Sequence, residues 1–201
     1  MKKIILASSS PRRCALLNQM GIKFDLIPSD IDESAFKHLK GSELVKTLSI
    51  EKAKNVFNKL EKEENICVIG CDTIVSINDI ILGKPKDKED ALNMLMLLND
   101  NMHTVFTGLS IIGFKDNIYF EENICSSSNV YFSKFSKEEL FEYVNTLEPM
   151  DKAGAYGIQG KGGFLVSKID GDFYSIMGLP INKLYNILNK YDFLCHKNFT
   201  N

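Results

Sequence analysis

Apolar and polar positions along this chain fall into blocks that predict strands and helices by turns. The run Ile4-Ile5-Leu6-Ala7 reads as a buried strand that passes into Ser8-Ser9-Ser10. A helix then starts at Pro11, because proline suits the first helical position and Ser10 suits the N-cap. Leu16, Leu17 and Met20 share one face of that helix, and Gly21 is a natural stop. Ile22, Phe24 and Leu26 alternate with polar residues as a strand. Residues 42–60 read as a long helix with Val45, Leu48, Val56 and Leu60 on its apolar stripe, and Lys52 falls in the middle of that stripe. A lysine there either snorkels or points into a cleft, and the cleft is the expectation.

The next run, Ile66-Cys67-Val68-Ile69-Gly70-Cys71-Asp72, is apolar throughout until its last residue, as in a strand buried on both faces. Ile74-Val75-Ser76-Ile77 and Ile80-Ile81-Leu82-Gly83 flank Asn78-Asp79, a pair that tolerates the positive φ of a two-residue hairpin turn. A ladder symmetric about that pair would set Thr73 opposite Lys84, roughly 5 Å across and beside Asp72. Residues 87–98 form an amphipathic helix, and residues 103–114 and 118–132 form long strands joined by a turn. Residues 136–146 make a further helix in which Ser136 and Glu139 match a capping box. The chain closes with strands at 164–169 and 173–177, a helix at 181–190 and a loose tail. The whole is an α/β pattern, expected as one domain of two lobes over residues 1–192 with a tail at 193–201.

Composition changes this picture little. With 201 residues, 44% of them hydrophobic and 25% charged, the chain is an ordinary globular protein. Its net charge of −2 argues against a general nucleic-acid binder. No apolar run is long enough to span a membrane, and Met1-Lys2-Lys3 leads directly into a strand instead of a signal peptide. Cys14, Cys67 and Cys71 lie in or beside apolar segments, so buried reduced thiols and a cytoplasmic location are expected.

Several polar positions carry candidate chemistry. A helix start offers free N–H groups and partial positive charge, and Arg12 and Arg13 in its first turn oppose the dipole unless an anion faces them. The stretch therefore reads as a phosphate cradle, the alternative being a capped helix with both arginines in water. Asp30-Ile31-Asp32-Glu33 is an acidic cluster, either a solvated loop or a site for a divalent cation. Asp72 stands at the carboxyl end of its expected strand, where ligands gather in open α/β sheets. His103 reads as structural more readily than catalytic. Between Glu148 and Gly163, glycines at 154, 157, 160, 162 and 163 interleave with Tyr156 and Gln159, which points to backbone in close approach to a ligand.

Taken in order, Ser8-x-Ser10-Pro11-Arg12-Arg13, Gly70-x-Asp72-Thr73-Ile74-Val75, Leu82-Gly83-Lys84-Pro85, Thr104-x-x-Thr107-Gly108, the stretch Asp151-Lys152-Ala153-Gly154-Ala155-Tyr156-Gly157-Ile158-Gln159-Gly160 and Gly178-Leu179-Pro180 resemble the Maf family of nucleotide pyrophosphatases. The resemblance runs from Ile4 to about Lys190. It implies an inosine-triphosphatase-like fold, a long mixed sheet flanked by helices with two lobes around a central cleft. It also implies hydrolysis of a nucleoside triphosphate to the monophosphate and pyrophosphate with a divalent cation, Mg2+ or else Mn2+ or Co2+. The Gln159 stretch resembles the branch acting on dTTP and UTP; 7-methyl-GTP and inosine triphosphate are the alternative substrates. The family name also carries septum inhibition, which leaves a regulatory role open. A homodimer follows from the same resemblance.

In that reading Asp72 is the proton acceptor, and Glu33 with Asp72 holds the metal. Lys52, Lys84, Ser8, Ser10, Arg12 and Arg13 meet the phosphates. Arg12, Thr73 and Gln159 set base specificity, since the Gln159 amide offers a donor and an acceptor to the O4 and N3–H edge of thymine or uracil. Tyr156 either stacks on the base or packs. Asp72 is left between two roles, metal ligand and base.

Overall fold

The computed structural model describes residues 2–61 and 63–194. Strands β1 (Lys3–Leu6), β2 (Asp25–Leu26), β3 (Ile66–Ile77), β4 (Ile80–Leu82), β5 (Met102–Lys115), β6 (Ile118–Phe132) and β7 (Val166–Asp170) alternate with helices α1 (Pro11–Gln19), α2 (Gly41–Phe57), α3 (Lys88–Leu98), α4 (Lys137–Asn145), α5 (Phe173–Met177) and α6 (Ile181–Lys190). The strand order is β2-β1-β3-β5-β6-β7, with β4 paired to β3. Pairing is parallel for β2 and β3 against β1, and antiparallel for β4 on β3 and β7 on β6. The sheet is therefore mixed, as the family resemblance implies.

The described residues divide into two compact units, those up to 72, those of 107–126 and those from 178 on in the first, and 73–106 and 127–177 in the second. Three of the four boundaries fall inside β3, β5 and β6, and the fourth follows α5. In the first unit β1 is paired on both edges, by β2 and β3, and the burial of the successive residues Ile4, Ile5 and Leu6 shows it covered on both faces as well. Ile5, Ile66, Val68 and Ile112 of the strands pack with Ile50, Ala53 and Val56 of α2. In the second unit α3 and α4 bury Ala91, Leu95, Leu98, Leu140 and Val144 with Val75, Val105, Val130 and Phe132.

Several local expectations hold. Asn78 and Asp79 both have positive φ, and the ladder pairs Ile77 with Ile80, Ser76 with Ile81 and Val75 with Leu82. Ser136 and Glu139 form both hydrogen bonds of the capping box. Gly21 takes a left-handed φ of 67° just past α1.

Others are corrected. The strand expected across residues 22–26 is reduced to Asp25–Leu26, because Ile22 turns into the core while Leu26 is exposed. Residues 173–177 form α5 instead of a strand: the Asp172 carboxylate accepts from the N–H groups of Tyr174 at 3.0 Å and Ser175 at 3.2 Å, which caps a helix. Phe193 and Leu194, expected in the tail, are buried, and the Phe193 ring stands 5.9 Å from that of Phe120. The remainder of the expected tail, with Cys195, lies outside the described residues.

Candidate active site

Asp72 does not end a strand. It sits inside β3, where the strand has passed its parallel pairing with β1 and has not reached its antiparallel pairing with β4. It is 7% exposed. Lys52, on the core-facing stripe of α2, reaches it: Lys52 Nζ is 2.6 Å from Asp72 Oδ1 and 2.7 Å from Glu33 Oε1. The lysine side chain is 14% exposed, so the ion pair is shielded from solvent on the lysine and aspartate sides while Glu33 opens to water. A cation placed in an apolar stripe is thus explained by two carboxylates brought to it from elsewhere in the chain.

The acidic cluster is dispersed. Asp30 pairs with Lys59 at 2.7 Å, the Asp32 carboxylate accepts from the N–H of Ser34 at 2.9 Å, and Glu33 goes to Lys52. Contact with the Lys59 ammonium and with Asn55 holds the Asp30 carboxyl below the usual carboxylate range. Only Glu33 of the three joins Asp72. Two carboxylates facing one cationic point are the hard oxygen donors that Mg2+ takes, with phosphate oxygens and water completing the shell. Among the described residues no group of three or more His, Cys, Asp or Glu gathers to hold a metal by itself. The donor set therefore fits a cation held by one or two carboxylates and shared with a phosphate ligand.

The opening turn is more ordered than a simple cap. Ser10 occupies the N-cap of α1, but its side chain makes no capping bond. Ser8 is buried, and its Oγ accepts from the Ser10 N–H at 3.2 Å and from an Arg13 N–H at 3.0 Å. A second Arg13 N–H donates to the Gly178 carbonyl at 2.9 Å. Accepting two bonds leaves the Ser8 hydroxyl proton as a donor toward an anion. Arg13 is anchored through two of its donors, and Arg12 stands half-buried in the same first turn. The first turn of α1 itself contains no acidic residue. Nearby, Cys71 is fully buried, and burial pushes its thiol up to about 11, so it is an inert packing residue.

Thr73, Lys84 and Gln159 belong to the second unit. The β3–β4 ladder stops at Val75–Leu82, so the expected Thr73–Lys84 pair is not part of it. Lys84 is exposed just after β4, beside Gly83, whose carbonyl accepts from the Gly154 N–H at 3.0 Å. Gln159 is exposed on the glycine-rich loop. Tyr156 packs: it is buried, with its ring edge-on to Phe132 at 4.8 Å and to His103 at 5.3 Å.

His103 is structural. Its Nε2 pairs with the Tyr156 hydroxyl at 2.9 Å, and burial pushes the imidazole down to about 4. Below the ordinary histidine value near 6.5 the unfolded chain binds this proton and the folded one does not, so stability falls as pH drops from about 6.5 to 4. The full loss is about 3–4 kcal/mol, at roughly 1.4 kcal/mol per pH unit. Urea denaturation at pH 7 and pH 5 should show a smaller loss for His103→Gln than for the native chain, and equal losses would show that His103 does not titrate this way.

Sequence reading missed Glu148. Its carboxylate accepts from the N–H groups of Gly162 at 2.9 Å and Lys161 at 3.0 Å and from the Tyr143 hydroxyl at 3.0 Å. The signal was present: a glycine-rich run exposes N–H groups that need an acceptor, and an acid stands at its head.

The family model described as Maf-like protein matches residues 3–191. The chain belongs to the Maf family. Among similar Maf relatives, one from Caldicellulosiruptor bescii is 47% identical over 192 residues, covering 94% of this chain and 95% of its own. One from Clostridium botulinum (strain Okra) is 48% identical over 189 residues, covering 94% and 96%. A third, from Thermoanaerobacter sp. (strain X514), is 49% identical over 192 residues with the same coverage. All three are named dTTP/UTP pyrophosphatase. The structure of the Staphylococcus aureus Ham1 protein superposes with a TM-score of 0.53 at 18% identity, covering 94% of this chain and 99% of that one. That likeness is one of fold alone: this Maf chain has the mixed α/β fold of the Ham1 protein, the inosine-triphosphatase-like fold.

Proposed function

We propose that this Maf protein hydrolyses dTTP and UTP to the monophosphate and pyrophosphate. The observation that carries the reading is the buried Lys52–Asp72 pair with Glu33, set in a chain about half identical, over nearly its whole length, to relatives named for that activity. Asp72 takes the proton of the water that attacks the α-phosphorus, the bond to the bridging oxygen breaks, and pyrophosphate leaves. Ser8 and Ser10 donate to phosphate oxygens from the turn before α1, and Arg12 and Arg13 add charge there. Lys52, once a ligand competes for its carboxylates, is available to phosphate as well, and Lys84 has the same role. Glu33 and Asp72 would hold the divalent cation, Mg2+ first and Mn2+ or Co2+ after it. When bound, that cation neutralises phosphate charge and makes water a better nucleophile.

Gln159 reads the pyrimidine edge through its amide, with Arg12 and Thr73 as further specificity positions. The free, buried Cys67 and Cys71 suit a cytoplasmic enzyme, and a homodimer is part of the same proposal.

The test is pyrophosphate release from dTTP, UTP, 7-methyl-GTP and inosine triphosphate, with magnesium and with excess EDTA. Pyrimidine substrates should lead by on the order of tenfold or more, and EDTA should stop turnover. A preference for either purine would overturn the reading.

A further inference from the structure

We propose that Glu148 is a positioning residue for base selection, holding the loop that presents Gln159. The proposal rests on the reading of Gln159 as the residue that recognises the base.

Gln159 itself is exposed and stands on a loop rich in glycine, which has no side-chain packing to give it one shape. Its neighbours on both sides are tied to one pillar, the buried Tyr143 and the half-buried Glu148. Two residues before it, the Gly157 N–H donates to the Tyr143 hydroxyl at 3.2 Å. Two residues after it, the Lys161 N–H donates to one oxygen of Glu148 at 3.0 Å, and the next N–H, of Gly162, donates to the other at 2.9 Å. The Tyr143 hydroxyl donates in turn to Glu148 at 3.0 Å, which joins the two anchors. Lys152 Nζ closes the arrangement on the Glu148 main-chain carbonyl at 2.6 Å and on Asp151 at 2.6 Å.

The fit is close enough to exclude side chains. At Gly162 a Cβ would run into the Tyr143 hydroxyl, and at Gly160, whose φ is 120°, it would lie 3.0 Å from Glu148 Oε2. The glycines thus let the loop backbone lie on the Tyr143–Glu148 pillar. Burial works against the Glu148 charge, but the N–H groups of Gly162 and Lys161 and the Tyr143 hydroxyl outweigh it and hold the carboxyl below its usual range. An ionised acceptor at neutral pH makes these bonds stronger than neutral ones. Glutamine at this position would turn an NH2 group toward one of those N–H donors.

The test is steady-state pyrophosphate release from UTP and inosine triphosphate by Glu148→Gln, Tyr143→Phe and Gln159→Ala. Glu148→Gln should raise KM for UTP and shrink the UTP preference by on the order of tenfold, with kcat within about twofold, as expected for losing about one good base contact. Tyr143→Phe keeps the ring and loses the link, so it should move both quantities in the same direction by a smaller factor. A purely structural role would lower melting temperature and active fraction without changing the substrate ratio. Unchanged KM and selectivity in a folded Glu148→Gln would overturn the proposal. Should that variant not fold, an unchanged ratio in Tyr143→Phe would overturn it instead. If Gln159→Ala keeps full selectivity, the reading of Gln159 itself falls, whatever Glu148→Gln does.

Discussion

Asp72→Asn is expected to lower pyrophosphate release by on the order of 10²–10⁴-fold, the range for losing a positioned proton acceptor. Asparagine matches aspartate in volume and still offers an oxygen to Lys52 Nζ, now 2.6 Å away, so the fold should persist. Lys52 also keeps Glu33 at 2.7 Å, which prevents a buried ammonium from being left alone. A change of about 1 kcal/mol would move the melting temperature by roughly 2–4 °C in a chain of this size. Activity and stability therefore separate in this variant. Turnover within tenfold of the native enzyme, at unchanged magnesium, would remove Asp72 from the chemistry.

The second large effect is on stability. Gly70→Ala in β3 should cost more than about 3 kcal/mol, above the ordinary range for overpacking, because the obstacle is chiefly the main chain of α2 and not the end of a flexible side chain. Its Cβ would collide with the Ser49 carbonyl of α2 and lie 2.8 Å from the Ala53 nitrogen and 2.9 Å from the Ala53 Cβ. Neither β3, held by β1, nor α2, buried along its stripe, can step aside without breaking the core around Ala53 and Val56. The melting temperature should drop by roughly 6–12 °C or the chain should fail to accumulate. Gly83→Ala is the control: nothing lies within 4 Å of its Cβ position, and its stability should stay within about 0.5 kcal/mol of the native value. Thermal melts of the two variants decide, and a native-like melt for Gly70→Ala would show that the helix can back away from the strand.

Both effects depend on α2, and they show how much of the site could be read in advance. Lys52 is anomalous in sequence alone, since a cation in an apolar stripe needs a partner. Its partners were a different matter. Asp30, Asp32 and Glu33 look alike along the chain, and only folding sends the first to Lys59, the second to a backbone N–H and the third to Lys52. Residues 173–177 fit both strand and helix periods because the segment is short, and the carboxylate of Asp172 settles it as α5. Phe193 and Leu194 look like a tail until Phe120 is seen to receive Phe193. Glu148 escaped notice because its function is to accept bonds from main-chain groups that carry no mark in the sequence.

The sequence by itself determined the elements governed by short-range physics: the strand–turn–helix at Pro11, the Asn78-Asp79 hairpin with its register, the capping box at Ser136, and the ordered motifs that mark the Maf family. These depend on a few neighbouring residues and on the period of the apolar pattern. Only the tertiary structure decided that Asp72 lies within a strand instead of at its end, that Ser8 and not Ser10 organises the turn before α1, and that Lys52 joins Asp72 to Glu33. Those outcomes depend on which buried charges and donors find partners far along the chain, and the cost of leaving any of them unpaired selects the arrangement.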